Sequence, residues 1–186
     1  MIGFAFCGSY CTFAPAFAAL RQLAERGEDL LPIFSFNAAS TDTRFGRAAD
    51  FRWEAETICR RSPVLTIPEA EPLGPARPLE ALVVAPCTGN TLAKIALGIT
   101  DTPVTMAVKA HLRQSRPLLL ALASNDAMAA NLKNIAALLE KKSVFFVPMR
   151  QDDPEKKPHS LVADFSLLPD CLTAAREGRQ ARPLFL

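Results

Sequence analysis

Four short stretches of the chain carry residues able to hold an anionic ligand and act on it: Gly8-Ser9-Tyr10, Ser35-Phe36-Asn37, Pro86-Cys87-Thr88-Gly89-Asn90-Thr91 and Ser124-Asn125-Asp126. Each combines hydroxyl or amide groups with a place just before a helix, where unpaired backbone N–H groups and the positive end of the helix dipole suit phosphate or carboxylate. The third stretch is the most specific. Pro86 ends an apolar run, Thr88 and Thr91 offer hydroxyls at a helix start, Gly89 allows close backbone approach, and Asn90 brings an amide that both donates and accepts. The first stretch has one glycine followed by Ser9 and Thr12. It therefore lacks the Gly-x-Gly-x-x-Gly pattern of dinucleotide sites and points instead to one phosphate, as in a mononucleotide.

A carboxylate substrate would also need cations, and Arg44, Lys94, Lys109 and Arg113 are the candidates near expected strand ends. Lys109 stands out because Met106, Ala107, Val108 and Ala110 around it are apolar. A partly desolvated ammonium there would serve as carboxylate clamp and proton carrier. The alternative is a surface lysine whose stem lies along a helix. Arg44 sits in a loop after the second strand, where a guanidinium can grip a carboxylate with two parallel bonds. His111 is expected on a helix surface, and Cys87 as a packing residue, because no histidine lies near it in sequence.

These residues need a scaffold of strands and helices. Apolar runs at Ile2 to Cys7, Leu30 to Phe36, Val64 to Ile67, Ala81 to Ala85, Pro117 to Leu122 and Val144 to Val147 read as strands. Between them, helices are expected from Thr12 to Gly27, about Asp50 to Arg61, about Asn90 to Leu97, about Thr102 to Gln114 and about Ala127 to Lys141, with a last one around Leu168 to Glu177. Pro86 should break its strand, and the proline-rich stretch from Pro68 to Pro78 reads as an irregular surface crossing. Alternating strands and helices predict a single α/β domain over 1–186, a Rossmann-like doubly wound parallel sheet in a three-layer sandwich, with its site at the carboxyl ends of the strands. The polar stretch 148–160 is a candidate lid or docking loop, with Pro154 and Pro158 restricting it.

Composition narrows the function. With 49% hydrophobic and 22% charged residues, the chain reads as a folded globular protein rather than a disordered one. Every apolar run is interrupted before the ~18 residues a spanning helix requires, so no membrane segment is expected. Met1 to Cys7 reads as a first strand and not a signal peptide. The five cysteines are scattered and odd in number, which fits reduced thiols in a cytoplasm. Cys7 and Cys11 have only His111 and His159 to complete a ligand set, so no metal is expected. A net charge of +2 without a basic stripe argues against nucleic acid.

The motif Pro86-Cys87-Thr88-Gly89-Asn90-Thr91 resembles the Pro-Ala-Ser-Ala-Asn-Thr motif of the homo-oligomeric flavin-containing Cys-decarboxylase family. The continuation Leu92 to Asp101, with Lys94, Gly98 and Asp101, resembles the Lys-x-x-x-Gly-x-x-Asp pattern of the flavin prenyltransferases. Four stretches, Ser40 to Gly46, Ala70 to Pro75, Pro86 to Ala110 and Gln151 to Pro158, are similar to the family of dipicolinate synthase B subunits from spore-forming bacteria. That resemblance spans most of the chain.

The resemblance implies a role in sporulation, with oxidation of dihydrodipicolinate, or its hydrated precursor, to pyridine-2,6-dicarboxylate beside the larger, dehydrogenase-like A subunit of dipicolinate synthase. It implies FMN on this chain, held by Gly8, Ser9, Ser35, Asn37, Pro86, Cys87, Thr88, Gly89, Asn90, Thr91, Ser124 and Asn125, with NADP or NAD on the partner. Asn90 and Lys109 would be catalytic; Arg44, Lys109 and Asn125 would bind the small dicarboxylate. It further implies a homo-oligomer, trimer-based, with Phe34, Phe36 or apolar neighbours at the contacts. Two other readings remain open here: a free-standing FMN-dependent decarboxylase or flavin prenyltransferase, and a non-catalytic stabilising subunit. The decarboxylase branch has an early histidine, whereas His111 and His159 come late.

Overall fold

Residues 1–76 and 79–186 are described by the computed structural model. The expected apolar runs become strands β1 (Ile2–Phe6), β2 (Leu30–Phe34), β3 (Ala81–Cys87), β4 (Leu118–Ser124) and β5 (Val144–Phe146). They pair in parallel in the order β2-β1-β3-β4-β5. Their side chains are buried along nearly their whole length because helices cover both faces, which is why the runs are continuously apolar instead of alternating.

One face packs on α1 (Phe13–Glu25), α3 (Ala48–Cys59) and α8 (Leu168–Arg176), the other on α4 (Ile67–Ala70), α5 (Gly89–Leu97), α6 (Pro103–Leu112) and α7 (Leu132–Leu139). The short α2 (Phe36–Ser40) follows β2 directly. Phe13, Phe17, Leu20 and Leu23 form the buried stripe of α1 at helical spacing. On the first face Phe6 is the centre of an aromatic cluster, with ring centroids 4.8 Å from both Phe17 and Phe34.

Several sequence expectations are corrected. Val64 to Ile67 is not a strand: Val64 alone bridges to Ile33, and Thr66 with Glu69 makes a capping box that starts α4 instead. The stretch after Pro68 runs along the surface, with Glu69, Glu71, Pro75 and Ala76 exposed, but it is helical rather than irregular. It is packed down through buried Ala70 and Leu73 and through Gly74, which lies tightly against the backbone of Ala110 in α6. Pro78 falls outside the described residues. β3 does not break at Pro86 but runs on to Cys87, where its register with β4 shifts between Val84 and Cys87. An irregularity of this kind accommodates a residue without an N–H inside a sheet. His111 is fully buried, not on a helix surface. Its Nε2 donates to the Pro117 carbonyl at 2.9 Å, and burial lowers its pKa so that the ring is neutral at pH 7.

The sheet is mixed, because β6 (Met149–Arg150) and β7 (Leu161–Ala163) add an antiparallel hairpin. β7 pairs with Ala123 and Ser124 at the very end of β4, beyond the part used by β5. Residues 151–160 are thus a hairpin loop hung over the carboxyl end of β4. No described helix is long and apolar enough to cross a membrane.

Candidate functional site

The chain passes from β1 to β2 on one side and to β3 on the other, so the turns after these strands splay apart and leave a crevice at their carboxyl ends. Two compartments occupy it. The smaller, about 400 Å³, is lined by Gly8, Ser35, Phe36, Asn37, Thr88, Asn90, Thr91, Lys94, Asp101 and Thr102. The larger, about 710 Å³, is bounded by the Gly8 to Thr12 turn, Phe45, Thr88, Gly89, Ser124 to Asp126 and the hairpin-loop residues Asp152 and Lys157. Gly8 and Thr88 line both, so the two form one continuous groove.

Three helices begin in the smaller compartment. Ser35 caps α2 by accepting from Ala38 N, Thr88 caps α5 by accepting from Thr91 N at 3.1 Å, and Thr102 caps α6 in a reciprocal box with Thr105. Each cap satisfies part of its helix start, and the remaining first-turn N–H groups have no partner within the helix. Lys94 adds a cation, held 2.7 Å from Asp101. Converging helix starts with a lysine make a seat for a phosphate.

The wall between α5 and β4 is built around Gly89. Asp126 accepts from both the Ser124 hydroxyl and the Asn131 amide, and Asn131 in turn accepts from Asn134 at 2.9 Å. The Ser124 hydroxyl, followed by Asn131, lowers the Asp126 pKa below the usual carboxylate value, so it stays ionised. A Cβ on Gly89 would lie 2.3 Å from Ser124 Oγ and 2.7 Å from Asp126 Oδ1. Only glycine lets this helix start approach the network.

Gly8, Ser9, Ser35, Asn37, Thr88, Gly89, Asn90, Thr91, Ser124 and Asn125 are brought together in the groove from four separate turns. Pro86 and Cys87 are not part of its lining. They lie beneath it, fully buried, and the Pro86 carbonyl accepts from Cys7 N. Desolvation raises the Cys87 pKa well above the ordinary thiol value, which keeps it an inert thiol. Arg44 is exposed, its guanidinium stacked 4.9 Å from the centre of the Phe45 ring, and only Phe45 of the two lines the crevice.

Lys109 is placed elsewhere. It is exposed on the second half of α6 and lines a separate cleft of about 570 Å³ with Leu97, Ile99, Arg113, Lys141 and Lys142, which shares no residue with the groove. Of the apolar neighbours that suggested desolvation, Ala107, Val108 and Ala110 are the buried side of its own helix, and Met106 is only partly buried. Lys109→Ala should therefore change the turnover of the reconstituted enzyme less than twofold, as steady-state rates would measure; a tenfold loss would return it to the site. Asp152 and Lys157 were missed as site residues. The sequence signals there are the prolines that restrict the stretch containing them and its share in the family resemblance, neither of which singles out the two residues.

A Flavoprotein family model matches residues 36–167. The chain is 41% identical over 185 residues to the B subunit of dipicolinate synthase from Bacillus subtilis, covering 100% of this chain and 92% of that one. It belongs to the family of dipicolinate synthase B subunits, a branch of the flavoproteins. The crystal structure of a family member from Bacillus halodurans superposes with a TM-score of 0.91 at 37% identity, over 100% of this chain and 95% of the other. The FMN-dependent cysteine decarboxylase SpaF shares the fold with a TM-score of 0.67 at 22% identity, over 94% and 95% of the two chains. Family membership makes this chain part of a flavin-related enzyme, with the doubly wound α/β fold expected from its sequence.

Proposed function

We propose that this chain acts as the B subunit of a dipicolinate synthase and, together with the A subunit of that enzyme, oxidises dihydrodipicolinate or its hydrated precursor to pyridine-2,6-dicarboxylate. The observation that carries this reading is the groove itself: three helix starts and Lys94 meet in a compartment suited to a phosphate, continuous with a wider crevice for a ring and a substrate. FMN fits these residues. Its phosphate would be held by Ser35, Asn37 and the Gly8-Ser9 turn, with Thr91 near by, and its ring would lie against Thr88 to Asn90 with Asn125 and Ser124 at its edge.

Aromatising dihydrodipicolinate removes a hydride and a proton, and the hydrated precursor must lose a water as well; FMN here, or NADP or NAD on the A subunit, would supply the hydride acceptor. The groove's own contribution is orientation. Asn90 and Asn125 are exposed amides on opposite sides of Thr88, able to fix a ring edge or a substrate carboxylate. Exposed Phe36 and Trp53, on the adjacent helices α2 and α3, support closure of the groove by further copies in a trimer-based oligomer. Phe34 is excluded from such a contact because it is fully buried against Phe6.

The test mixes the two purified subunits with the precursor and follows pyridine-2,6-dicarboxylate, omitting each subunit in turn. Both should be required, FMN fluorescence should be quenched by this chain alone, and Asn90→Ala should slow the complete system about tenfold or more. Full activity from the A subunit by itself would refute the reading.

A further inference from the structure

Among its described lining residues the larger compartment has one cation, Lys157, and two carboxylates, Asp126 and Asp152. The two acids are not equivalent. Asp126 is committed to the wall: its oxygens accept from Ser124 and from the Asn131 amide at 2.9 Å. Asp152 is bound by Lys157 instead, with Nζ 2.6 Å from Oδ2. The hydrogen bond from Lys157 lowers the Asp152 pKa, and Asp152 raises that of Lys157, so both are ionised at neutral pH.

The loop that carries the pair is anchored over the groove. β7 holds its end through the pairing of Val162 with Ala123, Met128 N donates to the His159 carbonyl at 2.9 Å, and Gln151 donates to the Pro158 carbonyl. Within the loop, Lys157 N donates to the Asp153 carbonyl at 2.7 Å. The backbone of Lys157 is therefore fixed while its ammonium, with three donors and one bound carboxylate, can still donate to another.

The geometry points to Lys157 as the residue that receives a carboxylate of the substrate, with Asp152 holding the ammonium in place beforehand and competing for it. This rests on the reading that a dicarboxylate occupies the groove. A ligand with two carboxylates needs compensating charge where Asp126 and Asp152 already make the compartment acidic, and Lys157 supplies it at the side where Ser9 and Asn125 can meet the ring. Asp152 and the ligand carboxylate then compete for one ammonium, whose donors can turn to either.

The two members of the pair should then act in opposite directions, which a merely structural ion pair would not do. Binding of pyridine-2,6-dicarboxylate to the intact chain, by titration calorimetry, should weaken about tenfold or more in Lys157→Met, survive within about threefold in Lys157→Arg, and tighten about threefold in Asp152→Asn. The double variant should bind no better than Lys157→Met. An exposed pair of this kind adds little to fold stability, so all four proteins should melt alike. If the parent chain binds and Lys157→Met binds equally well, or if both single variants weaken binding, the assignment of Lys157 is overturned while the groove reading stands. Failure of the parent chain to bind the dicarboxylate would overturn the groove reading and this assignment with it.

Discussion

Gly89→Ala is expected to destabilise the chain by about 2–4 kcal/mol and to abolish flavin binding. The added methyl would fall 2.3 Å from Ser124 Oγ, 2.7 Å from Asn131 Nδ2 and 2.7 Å from Asp126 Oδ1. None of these atoms is the loose end of a flexible side chain, because each is tied to another in the network. Relief requires either that α5 move away from β4 or that the Asp126 bonds break, which leaves a carboxylate and an amide short of partners. Both routes shift the Thr88 to Thr91 turn. At about 2–4 °C per kcal/mol for a chain of this size, the melting temperature should fall by about 4–16 °C. Circular dichroism melts and FMN titration read the two effects, and a melting point within about 2 °C of the parent would show that the wall yields cheaply.

Phe6→Ala should be costlier still, at about 3–5 kcal/mol, against a total stability of about 5–15 kcal/mol for a domain. Phe6 is completely buried on β1 and stacks on Phe17 and Phe34 while also touching Phe4 and Phe13. Its loss opens a cavity between β1, β2 and α1 that rings fixed on three elements cannot collapse to fill. β1 leads within two residues into Gly8 and Ser9, so the damage reaches the groove. In denaturant titrations the midpoint should drop sharply with an unchanged slope, whereas Phe6→Leu should retain most of the stability. A small shift for the alanine variant would mean that the cluster is not the centre of this core.

The turns were legible because their chemistry is local. Thr88 caps α5, Gly98 ends it with a positive φ of 73°, and Thr102 with Pro103 starts α6, all from contacts within a few residues. Val64 to Ile67 misled because a short apolar run does not reveal whether it will pair or be overridden; here the Thr66 and Glu69 side chains formed a capping box. Lys109 misled in another way. Apolar neighbours at i−1 and i+1 on a helix point to other faces than the residue itself, so they say nothing about its own desolvation.

From the amino-acid sequence alone, the doubly wound sheet, the four turns that meet at its carboxyl edge and the family resemblance could be read, because apolar runs, caps and motifs act over a few residues. The tertiary structure decided which cations face the groove. Lys94 enters it through the helix start it shares with Thr91, while Lys109 is carried round α6 to another cleft. The antiparallel return of β6 and β7, well beyond Ser124 along the chain, brings Asp152 and Lys157 over the site through its pairing with β4. Such a placement depends on long-range strand pairing and not on any local preference, and for that reason no spacing in the sequence announces it.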